Sequence, residues 1–185
     1  MKTNIANCST GDRIHCIGSL GQILQQFPDK KCKIYLLHGD LSLEQMNFLY
    51  AHPKIKSYIT LTHGEGFGMP IFESVYHGVP VIAPQWSGQC DFLHAPVQNG
   101  KQKKPKMRPL FCRVNFTMGP IPQEAVWEGV LEAGVQWCYP EELSAKKCMR
   151  DMYKSHTKYI GLARKLKKHI LANFTEEEQY KKFAN

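Results

Sequence analysis

Two glutamates, Glu65 and Glu73, are separated by seven residues and flank a turn that contains Gly66, Gly68 and Pro70. The stretch Thr62-His63-Gly64-Glu65-Gly66-Phe67-Gly68-Met69-Pro70-Ile71-Phe72-Glu73 places three glycines, two carboxylates and a proline within twelve residues. Before it, Tyr58-Ile59-Thr60-Leu61 alternates like a strand; after it, Ile71, Phe72 and Val75 have helical spacing. A strand that runs through a glycine-rich turn into a helix offers uncommitted backbone N–H groups and the positive end of a helix dipole, which suits phosphate or sugar oxygens. The plain alternative is a tight turn whose glycines only supply unusual backbone dihedrals.

Such a turn needs elements to hold it. Ile14-His15-Cys16-Ile17 reads as a short strand, followed by Leu20, Ile23, Leu24 and Phe27 at helical spacing, while residues 1–12 read as a frayed polar lead-in. Lys33-Ile34-Tyr35-Leu36-Leu37 reads as a buried strand that ends at His38-Gly39, and the carboxyl end of a strand is where an open α/β sheet holds a ligand. Ser42 and Gln45 have capping-box spacing ahead of Leu43, Met46, Leu49 and Tyr50, a helix that stops before Pro53. Lys56 to Thr62 forms the strand that enters the glycine turn. Pro70 and Gly78-Val79-Pro80 bracket the helix that leaves it. Val79-Pro80-Val81-Ile82-Ala83 is too short for a helix and reads as a parallel core strand, and Asp91 is placed to cap a short helix through Phe92 and Leu93. Alternating strands and helices predict an α/β fold, a doubly wound parallel sheet flanked by helices, as one domain over 1–185.

Residues 94–123 interrupt the rhythm. Lys101, Lys103, Lys104, Lys106 and Arg108 crowd into Gly100–Pro109, with prolines at 105, 109, 120 and 122, so an exposed basic loop or β-excursion is expected there rather than a packed element. A solvated loop is the plain reading; contact of the Lys101–Arg108 run with an anionic acceptor or with nucleic acid phosphates is the sharper one. Trp127, Val130 and Leu131 suggest a short amphipathic stretch, and a helical region follows over about 141–184. Leu143, Ala145, Met149, Met152 and Tyr153 form one apolar stripe expected in the core, and Tyr159, Leu162, Ala163, Leu166 and Ile170 a second. Lys158, Arg164, Lys165, Lys167 and Lys168 read as a solvated face, and Thr175 with Glu178 opens a last helix over Glu176–Phe183.

At 185 residues and 43% hydrophobic composition, the chain suits one α/β domain, alone or with a helical extension. A net charge of +8 favours acidic ligands, nucleic acid or an anionic surface without choosing among them. Seven scattered cysteines without a CxxC pair suggest neither a disulfide framework nor a zinc site, and a reducing cytosol is the expected location. Asn4, Asn7, Ser9, Asp12 and Arg13 interrupt any apolar leader, and no apolar run reaches the roughly 18 residues of a membrane span. No metal is expected: there is no HExxH pair, and lone histidines such as His63 and His77 read as structural or solvated. A Walker A loop is absent too.

Glu65-Gly66-Phe67-Gly68-Met69-Pro70-Ile71-Phe72-Glu73-Ser74, followed by Gly78-Val79-Pro80-Val81-Ile82-Ala83, resembles the signature of retaining glycosyltransferases of the GT-B fold, the glycogen-synthase-like group. The likeness covers most of residues 32–95 and extends to Ser87-Gly88 and Asp91. It implies the Rossmann-like, nucleotide-sugar-binding C-terminal half of such an enzyme, with a nucleotide-sugar as substrate and no metal or other cofactor. It further implies that Glu73 accepts hydrogen bonds from ribose hydroxyls. Glu65, the catalytic glutamate, holds the transferred sugar and steadies positive charge at its anomeric carbon. Gly66, Phe67, Gly68 and Met69 offer backbone N–H groups to the sugar and diphosphate, and His38-Gly39 face the base.

Two departures bear on this reading. Such enzymes hold their donor between two Rossmann-like halves, and this chain matches only the C-terminal one. The family's diphosphate-neutralising Arg and Lys have no counterpart in residues 1–31, where Arg13, Lys30 and Lys31 are differently placed. The expectation is a fragment or a partner chain that supplies the N-terminal half. A non-catalytic or degenerate nucleotide-sugar-binding module and a transferase that modifies DNA are the competing readings.

Overall fold

The computed structural model describes residues 1–3, 8–98 and 104–184. They form two compact units, Met1–Phe48 and Leu49–Asn185, where the sequence suggests one domain.

In the first unit, β1 (Lys2–Thr3) pairs in parallel with β2 (Leu37–His38), and α1 (Thr10–Gln25) lies between them in the chain. The segment Ile14–Ile17, expected as a strand, belongs to α1. The reason is upstream. The Asp12 N–H donates to Ser9 Oγ at 3.1 Å and the Ser9 N–H donates to the Asp12 carboxylate at 2.9 Å, a reciprocal cap that starts the helix before the β-branched residues are reached. The predicted strand over Lys33–Leu37 pairs only at its end, Leu37–His38. The lead-in is not wholly frayed either, since Lys2–Thr3 supplies its partner. Helix α2 (Leu43–Ala51) crosses the division between units and begins at the predicted box, with the Gln45 N–H on Ser42 Oγ and the Ser42 N–H on Gln45 Oε1.

The second unit is built on a parallel three-stranded sheet of order β3 (Tyr58–Ile59), β4 (Val81–Pro84) and β7 (Cys112–Val114). Helix α3 (Met69–Tyr76) connects β3 to β4, as Pro70 and Gly78 foretell. Because strand side chains alternate, β4 serves two cores. Val81 and Ala83 join Ile71 and Val75 of α3, Phe92 and Leu93 of α4 (Cys90–Leu93), and Leu166 and Ile170 of α6 (His156–Asn173). Ile82, on the other face, joins Cys112, Val114 and α5 (Glu142–Lys154) through Ala145, Cys148 and Met152. The class is therefore mixed α/β, with helices on both faces of this small parallel sheet.

Residues 94–123 do contain the expected β-excursion, but part of the stretch is packed, against expectation. Strands β5 (His94–Val97) and β6 (Lys106–Pro109) form an antiparallel hairpin. Leu110 and Phe111 then enter the core, and β7 pairs with β4 at the edge of the parallel sheet. Five cations nearby conceal a short run, Leu110-Phe111-Cys112, that is apolar and buried. Lys101 and Lys103 lie outside the described residues, and Lys104, Lys106 and Arg108 are exposed. An antiparallel ribbon of β8 (Phe116–Pro120) and β9 (Gln136–Pro140) follows. A 3₁₀ turn, Gln123–Ala125, and a Trp127–Leu131 bridge lie between its strands, with no helix at the expected amphipathic stretch. In α5 the expected core stripe is shifted: Leu143 and Tyr153 are exposed, and Cys148 packs with Ala145 and Met152 instead. Helix α7 (Glu176–Ala184) starts where Thr175 Oγ1 accepts from the Glu178 N–H. Among the described residues no helix is long and apolar enough to cross a membrane.

Phe92, with 0% exposure, anchors this core. Phe92→Ala is expected to lower the unfolding free energy by about 3–5 kcal/mol, read as a fall in the urea midpoint with an unchanged slope.

Candidate functional site

Beyond β3 the chain turns through Thr62–Gly68 before α3 begins, and each step of that turn is tied to a different element. Thr62 Oγ1 donates to the Gly64 carbonyl (2.9 Å) and accepts from the Gly64 N–H (3.3 Å), closing the first bend. His63 is fixed to β9. Its Nδ1 bonds the Cys138 carbonyl at 2.7 Å, its own carbonyl accepts from the Cys138 N–H at 3.2 Å, and its ring stacks on Trp137 at 4.7 Å. A carbonyl can only accept, so the proton sits on Nδ1.

Glu65 is clasped through its backbone by the loop after β4. Its N–H donates to Ser87 Oγ (3.1 Å), and its carbonyl accepts from Ser87 Oγ–H (2.6 Å) and the Gly88 N–H (3.1 Å). Ser87 holds φ +68°, a left-handed conformation that costs a non-glycine residue about 1–2 kcal/mol; the clasp offsets that cost. Gly88 admits no substitute, since a Cβ there would sit 1.9 Å from the Gly66 carbonyl oxygen. Gly66 itself faces open space, with no atom within 4 Å of where its Cβ would be.

Phe67 turns the other way, its ring 5.3 Å from Phe72 and 5.0 Å from Phe92, so the turn is pinned to the core by one side chain. Gly68, at φ +88°, precedes α3, and its carbonyl accepts from the Ile71 and Phe72 N–H groups at 2.9 Å. No side chain caps this helix end, and Met69 is exposed. Under Gly68 lies Gln89, at 0% exposure: its Nε2 donates to the Pro84 carbonyl at 3.3 Å, and its Oε1 has no hydrogen-bond partner.

Glu73 projects from the second turn of α3 beside the Tyr50 hydroxyl, which also donates to the Pro70 carbonyl at 3.2 Å. Burial first, then the Glu73 charge, pushes the Tyr50 phenol well above its ordinary range. Tyr58 is raised by burial, then by Glu65, then by Glu73, so both carboxylates bear on one phenol at the start of β3. The structure thus brings Glu65, Gly66, Phe67, Gly68, Met69 and Glu73 together at one turn. His38 and Gly39 belong to the first unit. There His38 ends β2 with a buried, unpartnered Nε2, and Gly39 takes φ +111° with its N–H on the Thr3 carbonyl.

Several residues at this turn carry roles that local spacing does not reveal. Tyr50 reads as one more apolar position of α2, Tyr58 as a strand residue, and Ser87-Gly88 as a bend; the hydrogen bonds of Tyr50 and Ser87 and the charges that act on Tyr58 join positions far apart in the chain. Among the described residues no group of three or more His, Cys, Asp or Glu side chains is placed to hold a metal ion. Compared with protein-family models, curated proteins and solved structures, the chain matches none.

The clasp predicts a contrast between two neighbouring glycines. Gly88→Ala, which meets backbone, is expected to cost about 1–3 kcal/mol, whereas Gly66→Ala, which meets nothing, stays within about 0.5 kcal/mol; urea unfolding of both variants checks this. A pH effect follows from His77, stacked on Tyr50 at 5.7 Å, whose pKa burial and then Lys167 hold below the ordinary 6.5 against the pull of Glu73. The unfolded chain then binds more protons than the folded one, so stability is full above pH 6.5 and falls as pH drops below it. His169 is lowered in the same sense by burial and Lys182. The urea midpoint is expected to decline from pH 7.5 to 5.5, and less steeply in His77→Gln.

Proposed function

We propose that this chain is the donor-binding half of a retaining glycosyltransferase, a Rossmann-like half of a GT-B fold that takes a nucleotide-sugar and acts with a facing acceptor-binding domain. The observation that carries this reading is the arrangement of the two signature glutamates. Glu65 lies in a clasped turn and Glu73 one turn into the helix that the turn opens, and both bear on Tyr58. Gly66 leaves open space for a ligand to approach the backbone, and the uncapped start of α3 offers N–H groups and dipole to an anion.

Each residue then has a task. Glu73 accepts hydrogen bonds from ribose hydroxyls, and Tyr50 beside it limits the carboxylate's swing. Glu65 receives the hydroxyls of the transferred sugar and steadies the positive charge that grows at the anomeric carbon as the leaving diphosphate departs. Gly66, Phe67, Gly68 and Met69 present peptide N–H groups, and Phe67, wedged between Phe72 and Phe92, holds that peptide still. Among the described residues none of the cysteines forms a disulfide, which suits a reducing cytoplasm.

Calorimetric titration with UDP-, GDP- and ADP-sugars tests the reading. One of them is expected to bind, and Glu73→Ala to weaken it about tenfold to a hundredfold, the loss of charge-assisted hydrogen bonds of about 1.5–3 kcal/mol. Absence of binding by all three, or affinity indifferent to Glu73→Ala, sinks it. Binding with no transfer even when an acceptor-binding half is supplied leaves the non-catalytic module as the better description.

A further inference from the structure

His63 is more than a fastener between the turn and β9. Its Nδ1–H is committed to the Cys138 carbonyl at 2.7 Å, so in the neutral ring Nε2 is left as a lone-pair acceptor. Trp137 lies flat against the imidazole, 4.7 Å away and within 6° of parallel, and Tyr139 meets it edge-on at 5.0 Å. A ring held on two sides and bonded at one corner has little freedom to turn, and its acceptor keeps a fixed direction.

A donor stands beside the next residue. Gly64 separates His63 from Glu65, and a Cβ on it would lie 3.8 Å from Trp86 Nε1. The Trp86 indole is tilted against Phe116 of β8 at 6.1 Å. The two strands of one ribbon therefore steady the two rings, β8 the indole and β9 the imidazole. Among the described residues no hydrogen bond is made by His63 Nε2, by the Trp86 Nε1–H or by the Glu65 carboxylate. The buried side-chain atoms that lack a partner are His38 Nε2 and Gln89 Oε1, so His63 Nε2 and the Glu65 carboxylate reach solvent, and Trp86 is 37% exposed.

Two residues of chain span at most about 7 Å, so imidazole, indole and carboxylate are gathered around Gly64. They amount to two acceptors and one donor, none of them a cation; Arg113 of β7 is engaged with Gln85 Oε1 at 3.3 Å. A phosphate brings only acceptor oxygens and negative charge, and suits such a set poorly. Hydroxyl groups both give and take a proton, so neighbouring hydroxyls of one ring can satisfy all three groups together.

We propose that His63 and Trp86 read the hydroxyls of the transferred sugar: His63 Nε2 accepts from one hydroxyl and the Trp86 indole N–H donates to another, beside the hydroxyls held by Glu65. The two residues set specificity for the sugar and not for the nucleotide, since a site built to hydrogen-bond a hydroxyl rejects the analogue that lacks it. This assignment rests on the reading of the chain as a donor-binding half.

Calorimetric titration of the full chain with UDP-glucose, GDP-mannose and ADP-glucose, each against its own nucleoside diphosphate, tests it. For the base that binds, His63→Asn and Trp86→Phe are each expected to weaken the nucleotide-sugar about threefold to tenfold and to leave the nucleoside diphosphate within about twofold. Asn can still donate to the Cys138 carbonyl and Phe can still pack on Phe116, so each variant removes one polar atom while keeping a tie that fixes the turn. His63→Gln, whose amide oxygen reaches toward the place of Nε2, is expected to recover part of the loss. Equal weakening of the sugar and diphosphate forms marks a merely structural role and overturns the proposal, as does an unchanged affinity for the nucleotide-sugar. Glu73→Ala separates the two readings: if it weakens binding while the His63 and Trp86 variants do not, the donor-binding reading stands and this one falls. If no nucleotide-sugar binds, both fall.

Discussion

The backbone of Glu65 is tied to Ser87 and Gly88 by three hydrogen bonds, two received by its carbonyl and one donated by its N–H, across a gap that admits no β-carbon. Everything above the turn inherits its position from this contact. The loop after β4 cannot retreat without leaving a half-buried carbonyl unsatisfied, and it cannot approach more closely. Two consecutive strand exits of the parallel sheet, from β3 and from β4, are thereby locked to each other at their carboxyl ends. Glu65 is the residue at the lock, so its backbone is the best-fixed point of the turn while its side chain remains available.

Beneath the lock the packing is aromatic. Phe67, Phe72, Phe92 and Phe174 touch in sequence with centroid separations of 5.0–6.5 Å and tilted or edge-on rings. Those are the geometries in which ring edges meet ring faces favourably. Rigid side chains of this kind transmit position well because they have few rotamers to absorb a displacement. The turn combines this stiff floor with an open upper surface at Gly66, an arrangement suited to a ligand that must meet backbone rather than side chains.

Much of this was legible in the sequence where the determinants are local. Pro70 and Gly78 bracket α3, Ser42 with Gln45 starts α2, and the short apolar run Val81–Ala83 marks a buried strand. The readings that failed did so where a neighbour in space or a competing local signal decides. Ile14–Ile17 has strand character, yet the Ser9–Asp12 cap commits the segment to helix. Strand β7 was hidden because five cations and several prolines around it dominate the composition, while its burial comes from β4 on one side and α5 behind it. The two glutamates announced themselves by spacing. Tyr50 and Tyr58, which bear on their carboxylates, did not, since an aromatic residue on an apolar face looks the same whether or not an anion lies at its tip.

The place of Phe174 bears on where the chain can be shortened. It follows the last residue of α6 and sits 5.8 Å from Phe72, the ring that in turn supports Phe67. Helix α7, beyond it, buries nothing. A cut after Phe174 therefore removes no buried residue, only the Lys182 contact over the Phe174 ring and the Gln179–Asn173 hydrogen bond, whereas a cut one residue earlier withdraws a prop from the aromatic floor and loosens a turn more than a hundred positions upstream. The end of the folded unit, in the mechanical sense, is a single phenyl ring.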